Sequence, residues 1–465
     1  MSHPPEPLAA RIGREAHAFG YGDLDVAARG KVKLCLMDMV GCALEARALP
    51  WSRQAAVAAG AAGDNGDGGP ATVIGWPRRA ARGDAAFANG TMGHGLVRED
   101  MHAGAVSHLG VAILPALMAL AEGRKVAGRD FIAAAVLGYE VGAQVGRAVI
   151  DAELARTRRP TGITGPIGAA AGGARLLGLA PAQIASAVAL AANATGGLNE
   201  WAHTGGSEMF FHPGLAARSG VTAVQLAQAG AFGSPSALDG PAGLFASLGK
   251  AGAQEGVRLF GVAPEILAVY HKPVPACNFA QTASQAAIAA ASELAAPAEA
   301  VASIAIRVPR AGALYPGCDF TGPFERVLQA KMSIQYCVAS ALIEGDVTER
   351  NFALLDDPRL HRLLALTRLE IDDEMTRAFP ARQGGEVELA LAGGRRIRHR
   401  LDDVVNASPA QVRARFRAAC ADAFGAGRAE RIEAAIDGLD YADDAGAWIA
   451  LLSGQTTFHP SGDPR

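Results

Sequence analysis

The sequence has no paired-cysteine pattern, no uncharged run of membrane-spanning length and no excess of positive charge, and each absence removes a class of protein. Its six cysteines, Cys35, Cys42, Cys277, Cys318, Cys337 and Cys420, show no C-x-x-C or C-x-x-C-H spacing. A zinc ribbon, a thioredoxin-like motif and an iron–sulfur ligand set are therefore not expected. Glu6, Arg11, Arg14 and Glu15 fall where a signal peptide would carry its apolar core, and no uncharged stretch reaches the ~20 residues that cross a bilayer. A cytoplasmic, reduced protein without membrane contact is expected. Charged residues make up only 19% of the chain and the formal net charge is -3. With no basic stripe, nucleic acid is not an expected partner. The glycine-rich stretches lack both the terminal G-K-[ST] of a phosphate loop and a dinucleotide fingerprint behind a strand.

Small and apolar residues are abundant instead. Apolar residues account for 50% of the 465 and glycine for 56 of them, a composition suited to helices whose backbones approach closely. The length allows two domains. Amphipathic periodicity predicts helices over 7–19 and 24–44, and Asp38 inside the second reads as a carboxylate paired with a neighbouring helix. Residues 61–74 form a Gly/Asp-rich loop running into a short extended piece, and two helices between 111 and 149 meet at 123–128. From residue 270 the composition changes. Strand-like pieces over 304–308, 386–391 and 396–401, with a hairpin turn at Gly393 and Gly394, alternate with helices over 281–294 and 330–343. The expected fold is mainly α: a large all-helical domain over 1–266 and 404–465, with a smaller α/β lid domain over 267–403. The tail 461–465 is expected to fray.

Chemistry concentrates between Met92 and Gly110. His94, Arg98, Glu99, Asp100, His102 and His108 sit there between two alanine-rich apolar stretches, and desolvating so many titratable groups costs several kcal/mol unless they find partners or a ligand. This is either an active site or a hydrated interhelical loop. A second candidate is the start of the helix after Arg158 and Arg159. Thr161, Gly162 and Thr164 at a helix N-terminus make either a carboxylate cradle or a set of caps for close packing. His212, just before a proline, reads as a helix-start residue in either a functional or a packing role. Tyr139 reads as a structural hydroxyl. Lys272 is followed by two stiffening prolines, Pro273 and Pro275, at the expected domain junction.

Six motifs in order resemble the MmgE/PrpD family. They are Asn89-Gly90-Thr91 with His94, Glu99-Asp100-x-His102 and Ser107-His108; Gly138-Tyr139-Glu140; Pro160-Thr161-Gly162 before Gly165; Gly214-x-Ala216-Ala217 with Gly220; Lys272-x-x-Pro275-Ala276-Cys277; and Ala330-Lys331-x-Ser333-x-x-Tyr336. The resemblance covers nearly the whole chain. It implies a helical domain with an α/β lid in a homodimer, no redox cofactor, no metal, and a small polycarboxylate substrate. The chain departs from the family pattern at Val97, Met101, Arg159 and Met209, where an aspartate, a threonine, a histidine and a lysine are usual.

On this basis a lyase is expected, a dehydratase or decarboxylase of a di- or tricarboxylate. His108 is the first acid–base candidate, His102 the second, and Asp100 the partner expected to orient the imidazole. Lys272 is expected to neutralise a carboxylate or donate a proton. Arg159, Thr161, Gly162, His212, Arg98 and Cys277 are the expected substrate-binding residues. The alternatives are an epimerase or isomerase with His108 and Lys272 on opposite faces of one carbon, and a decayed helical scaffold. A metal enzyme ranks below these, because Glu99, Asp100, His102 and His108 match no standard ligand spacing.

Overall fold

A computed structural model describes residues 6–62, 68–294 and 298–454. The centre of the Gly/Asp-rich loop and the terminal tail lie outside the described residues. The fold is mainly α with a smaller α/β part. Helices Leu8–Ala18, Val26–Ala46, Arg82–His94, Gly110–Ala121, Gly128–Val149, Pro160–Leu176, Pro181–Ala192 and Glu208–Gln228 form the larger body. Several are buried on every side: all twelve residues of Gly110–Ala121 are inaccessible, as expected of a helix at the centre of a large core.

Glycine explains how these helices pack so densely. A Cβ on Gly168 would stand 2.6 Å from the Gly138 carbonyl oxygen, and one on Gly172 would stand 2.6 Å from that of Ala134. Helices Gly128–Val149 and Pro160–Leu176 thus touch backbone to backbone, a contact that only glycine permits. This pair also positions the candidate site, because Pro160 begins directly after Arg159.

The α/β part carries a four-stranded sheet in the order Thr367–Ile371, Val301–Val308, Gly385–Leu391, Arg396–Leu401. The first pair is parallel and the others antiparallel. Gly394 takes φ +83° in the turn of the predicted hairpin. Strand Thr367–Ile371 carried no clear sequence signal; it is short, half exposed and at the sheet edge, so it lacks the burial that produces a hydrophobic pattern. Helix Gln281–Leu294 covers one face through Ala283, Ala286, Ala287 and Ala290.

Polar stitches join the two parts. Asp38, in helix Val26–Ala46, receives His271 Nδ1 at 2.9 Å and Arg415 Nη2 at 3.3 Å. Arg415, in helix Pro409–Phe424, also donates to the Lys272 carbonyl at 3.0 Å. Lys331 is fully buried and donates to Leu96 O and Pro275 O, both at 3.3 Å, and to Glu349 Oε2 at 2.6 Å. A short antiparallel ladder pairs Met101–His102 with Val269–Tyr270. Replacing Gly168 by Ala drives a methyl into the Gly138 carbonyl and should cost about 1–3 kcal/mol in urea denaturation; an unchanged midpoint would show that the two backbones do not meet there.

Candidate active site

Helix Arg82–His94 ends on a tight turn in which the Val97 N–H donates to the His94 carbonyl at 2.9 Å. The chain then reverses in a small hairpin, with His102 and Ser107 exchanging backbone hydrogen bonds at 3.0 and 3.3 Å. Both reversals pass through left-handed backbone at valine, φ +58° at Val97 and +49° at Val106. For a β-branched residue this costs of order 1–3 kcal/mol and persists only where surrounding structure imposes it. The hairpin delivers His108, whose N–H donates to Thr161 Oγ1 at 3.0 Å.

Glu99 is the centre of the arrangement. It is fully buried, and its Oε1 lies 2.5 Å from His94 Nδ1 and 2.8 Å from His108 Nδ1. Burial works against the carboxylate, yet the two imidazoles hold Glu99 well below the usual carboxylate range. Burial also lowers both histidines, His108 to about 3. At neutral pH the state is therefore an ionised Glu99 between two neutral rings. His94 Nδ1 is hydrogen-bonded to the carboxylate, whereas His108 Nδ1 stands close to the same oxygen but off the line of a hydrogen bond; the nearby anion favours the proton on each Nδ1, which leaves each Nε2 with a lone pair. His94 Nε2 lies 3.1 Å from Arg159 Nη2. Among the described residues no hydrogen bond engages His108 Nε2, and His108 lines a cavity with Val97, Met101, Arg159, Cys277 and Tyr315. The cavity volume is about 20 Å³, room for about one water molecule.

Arg159 donates to Tyr315 Oη at 3.1 Å and touches Met209 Sδ at 3.5 Å. Lys272 is wholly buried; its Nζ donates to the Ala276 carbonyl at 3.1 Å, and burial lowers its pKa to about 8. Its charge also presses on His108, so the two groups share one electrostatic environment. Neither cation has a carboxylate partner of its own among the described residues. Cys277 lies 3.5 Å from Cys318, sulfur to sulfur; despite burial, that contact holds its thiol below the usual value.

The structure brings His108, Arg159 and Cys277 together on the cavity wall with Lys272 nearby, and it places the other expected site residues elsewhere. Asp100 does not orient His108; Glu99 does, and Asp100 instead accepts the Tyr139 hydroxyl at 2.7 Å. His102 turns away: Nε2 meets Glu265 at 2.7 Å and Nδ1 accepts the Ala105 N–H at 3.0 Å. With both nitrogens occupied, it is held as a structural residue. Arg98 forms a fork with Glu45. The Thr161 hydroxyl is used on the His108 backbone, and Gly162 allows the Gly196 carbonyl to within 1.9 Å of where a Cβ would stand. Their helix start is therefore a packing joint for the loop and not an open cradle. His212 is four residues inside helix Glu208–Gln228, not at its start. Burial and the Arg159 charge push it to about 3, so it is a neutral ring behind Arg159. Nothing in the sequence pointed to Tyr315, which is far along the chain and in no motif. His94 and Glu99 stood in the motif, but nothing in their spacing showed that both histidines share one carboxylate.

His94, Glu99 and His108 also offer ligand atoms within 4.8 Å of one another. A dication there would have to displace the two Nδ1 protons beside the Arg159 and Lys272 charges, which makes the trio a poor metal site.

Fold and motifs converge on one family. Residues 10–255 match the MmgE/PrpD N-terminal domain and residues 274–441 the C-terminal domain. The chain belongs to the MmgE/PrpD family. It is 34% identical over 226 residues to the cis-aconitate decarboxylase-like protein oryM of Aspergillus oryzae, covering 47% of this chain and 46% of that protein. It is 28% identical over 236 residues to a cis-aconitate decarboxylase of Aspergillus terreus, covering 49% and 47%. With the cis-aconitate decarboxylase of Homo sapiens it shares 27% over 316 residues, 63% of each chain. The chain thus spans about half the length of the fungal relatives it matches.

Asp100 generates a pH-dependent prediction. Burial raises its pKa to about 7, above the ordinary ~3.9 of an unfolded aspartate. The folded chain therefore binds this proton more tightly, and the resulting stability is present below about pH 4 and lost as pH rises through about 7. Asp100→Asn does not titrate, so its stability relative to wild type should improve by roughly 2–4 kcal/mol between pH 5 and 8. Parallel denaturation curves across that range would contradict the assignment.

Proposed function

We propose that this chain is a lyase that removes carbon dioxide or water from a small di- or tricarboxylate, with its own side chains as acid, base and anchors. One observation carries the reading: Arg159 and Lys272 are buried cations beside a neutral imidazole, and their contacts include no carboxylate. Burying unpaired cations is costly, and an anionic ligand with two or more carboxylates offsets that cost. The cis-aconitate decarboxylase names of the relatives support the same substrate class.

His108 supplies an unprotonated Nε2, and Lys272 is an ammonium below about pH 8. In a dehydration, His108 takes the proton from carbon while Lys272 protonates the departing hydroxyl. In a decarboxylation, the carboxylate leaves as carbon dioxide, the bonding pair stays on carbon, and Lys272 supplies the proton that carbon takes up. Arg159 holds a second carboxylate, its guanidinium fixed by Tyr315 and His94. Glu99 is a positioning residue acting through both imidazoles.

Proton NMR of the enzyme with cis-aconitate and 2-methylcitrate in deuterium oxide tests this. Turnover to an unsaturated or decarboxylated product is expected. Hydrogen exchange at one carbon without such a product indicates an epimerase, and silence across a panel of polycarboxylates rejects a lyase. Lys272→Met and Glu99→Gln should each lower kcat roughly a hundredfold or more while the fold survives, the usual scale for lost acid–base groups. Because Lys272 acts as an ammonium, kcat/KM should be level below about pH 8 and fall about tenfold per unit above it. Lys272→Arg should remove that alkaline limb; a limb that stays in place assigns it to another group.

A further inference from the structure

A second, larger space adjoins the candidate site. Val106, Phe279 and Tyr315 line both the inner cavity and an outer cleft of about 540 Å³ between the helical part and the lid. The inner cavity, at about 20 Å³, holds no six-carbon acid. A ligand anchored by one carboxylate at Arg159 therefore either displaces a wall or extends past those three residues into the cleft. What it meets there is mostly apolar: Ile150, Ala155, Phe279, Ala311, Leu314 and Phe379. The cleft's cations, Arg156 and Arg310, are exposed, and its Asp151 is paired with Lys250. Glu153 is exposed as well, so the buried charges are confined to the inner cavity and those of the cleft stand at its solvent side.

We infer that the outer cleft is a second compartment of the same site and receives an alkyl arm, so that the substrate class is a polycarboxylate bearing a hydrocarbon chain. This rests on the lyase reading of Arg159, Lys272 and His108 and adds to it the chemistry of the remaining part of the substrate. An apolar arm gains by leaving water for such a wall, whereas a third carboxylate gains nothing from Phe279 and Ala311 and would meet a charge only at the exposed Arg156 and Arg310.

Calorimetric titration of the full chain with succinate and with its 2-methyl, 2-butyl and 2-octyl derivatives tests the inference. Affinity should rise about twofold to fourfold per added methylene until the cleft is full, with a negative heat-capacity change. Ala311→Phe, which fills the cleft from the lid side, should bring the octyl-to-succinate affinity ratio close to one. An alkyl series that binds no tighter than succinate, or a gain that Ala311→Phe leaves intact, overturns the alkyl-arm assignment while leaving the carboxylate anchors standing. Failure of every acid to bind overturns the anchors and, with them, the arm.

Discussion

A single buried carboxylate, Glu99, is the constraint around which the site is built. Removing such a group from water costs several kcal/mol, and here the cost is offset by the hydrogen bond from His94 Nδ1, the close approach of His108 Nδ1 and the nearby charge of Lys272. The pairing has a directional consequence. Because the Glu99 anion favours a proton on both neighbouring Nδ1 atoms, both Nε2 atoms are acceptors; one meets Arg159 and the other belongs to the ring that lines the cavity. The tautomer of His108, the placement of the guanidinium and the base of the proposed reaction all follow from one oxygen. Val97 and Val106 remain in left-handed backbone because the turns on either side of this group are fixed by His94, His102 and Ser107.

The other half of the site depends on how the two parts of the chain are joined. Lys272 sits in a segment whose backbone is held by Arg415 and whose neighbour His271 is held by Asp38. Lys331, also a buried lysine in a family motif, has a different role. It spans Leu96 and Pro275 and is neutralised by Glu349, which makes it a strut between the two parts. The contrast between the lysines is informative. Both are buried, but only Lys331 makes a direct ion pair; Lys272 feels Glu99 without touching it, and on the proposed reading that leaves its ammonium open to a substrate carboxylate. The same joining leaves the inner cavity very small and opens the larger cleft beside it. On the proposed reading, size and polarity of a bound acid are judged in separate places.

Much of the architecture was legible in the chain itself. Alanine-rich periodic runs marked helices such as Gly110–Ala121 and Gly128–Val149, and alternation marked strands Gly385–Leu391 and Arg396–Leu401, because those patterns reflect burial on one face or on all faces. Ordered motifs identified the family, and the density of titratable groups over 92–110 marked the candidate site. Pro160, Gly138 and Gly168 also carried local meaning, since a helix start and a backbone contact each require a particular residue type.

Sequence alone did not settle which way each polar group points. Glu99 and Asp100 are adjacent acids, equally placed in the sequence, yet one lies beside two histidines and the other binds a tyrosine, and only the packing of the helices around them determines what each meets. His102 and His108 are separated in the same manner by a hairpin that turns one ring to Glu265 and the other to the cavity. Tyr315, Phe279 and the outer cleft arise from chain segments far from the motif, brought there by the packing of the α/β part against the helical part. The sequence by itself determined the helices, the family and the stretch that carries the chemistry, because these depend on local periodicity and residue type. The partner of each charge was decided only by tertiary structure, because in a desolvated interior the identity of the nearest counter-charge, not the residue's own chemistry, sets whether a group is a strut, a buried proton or a base.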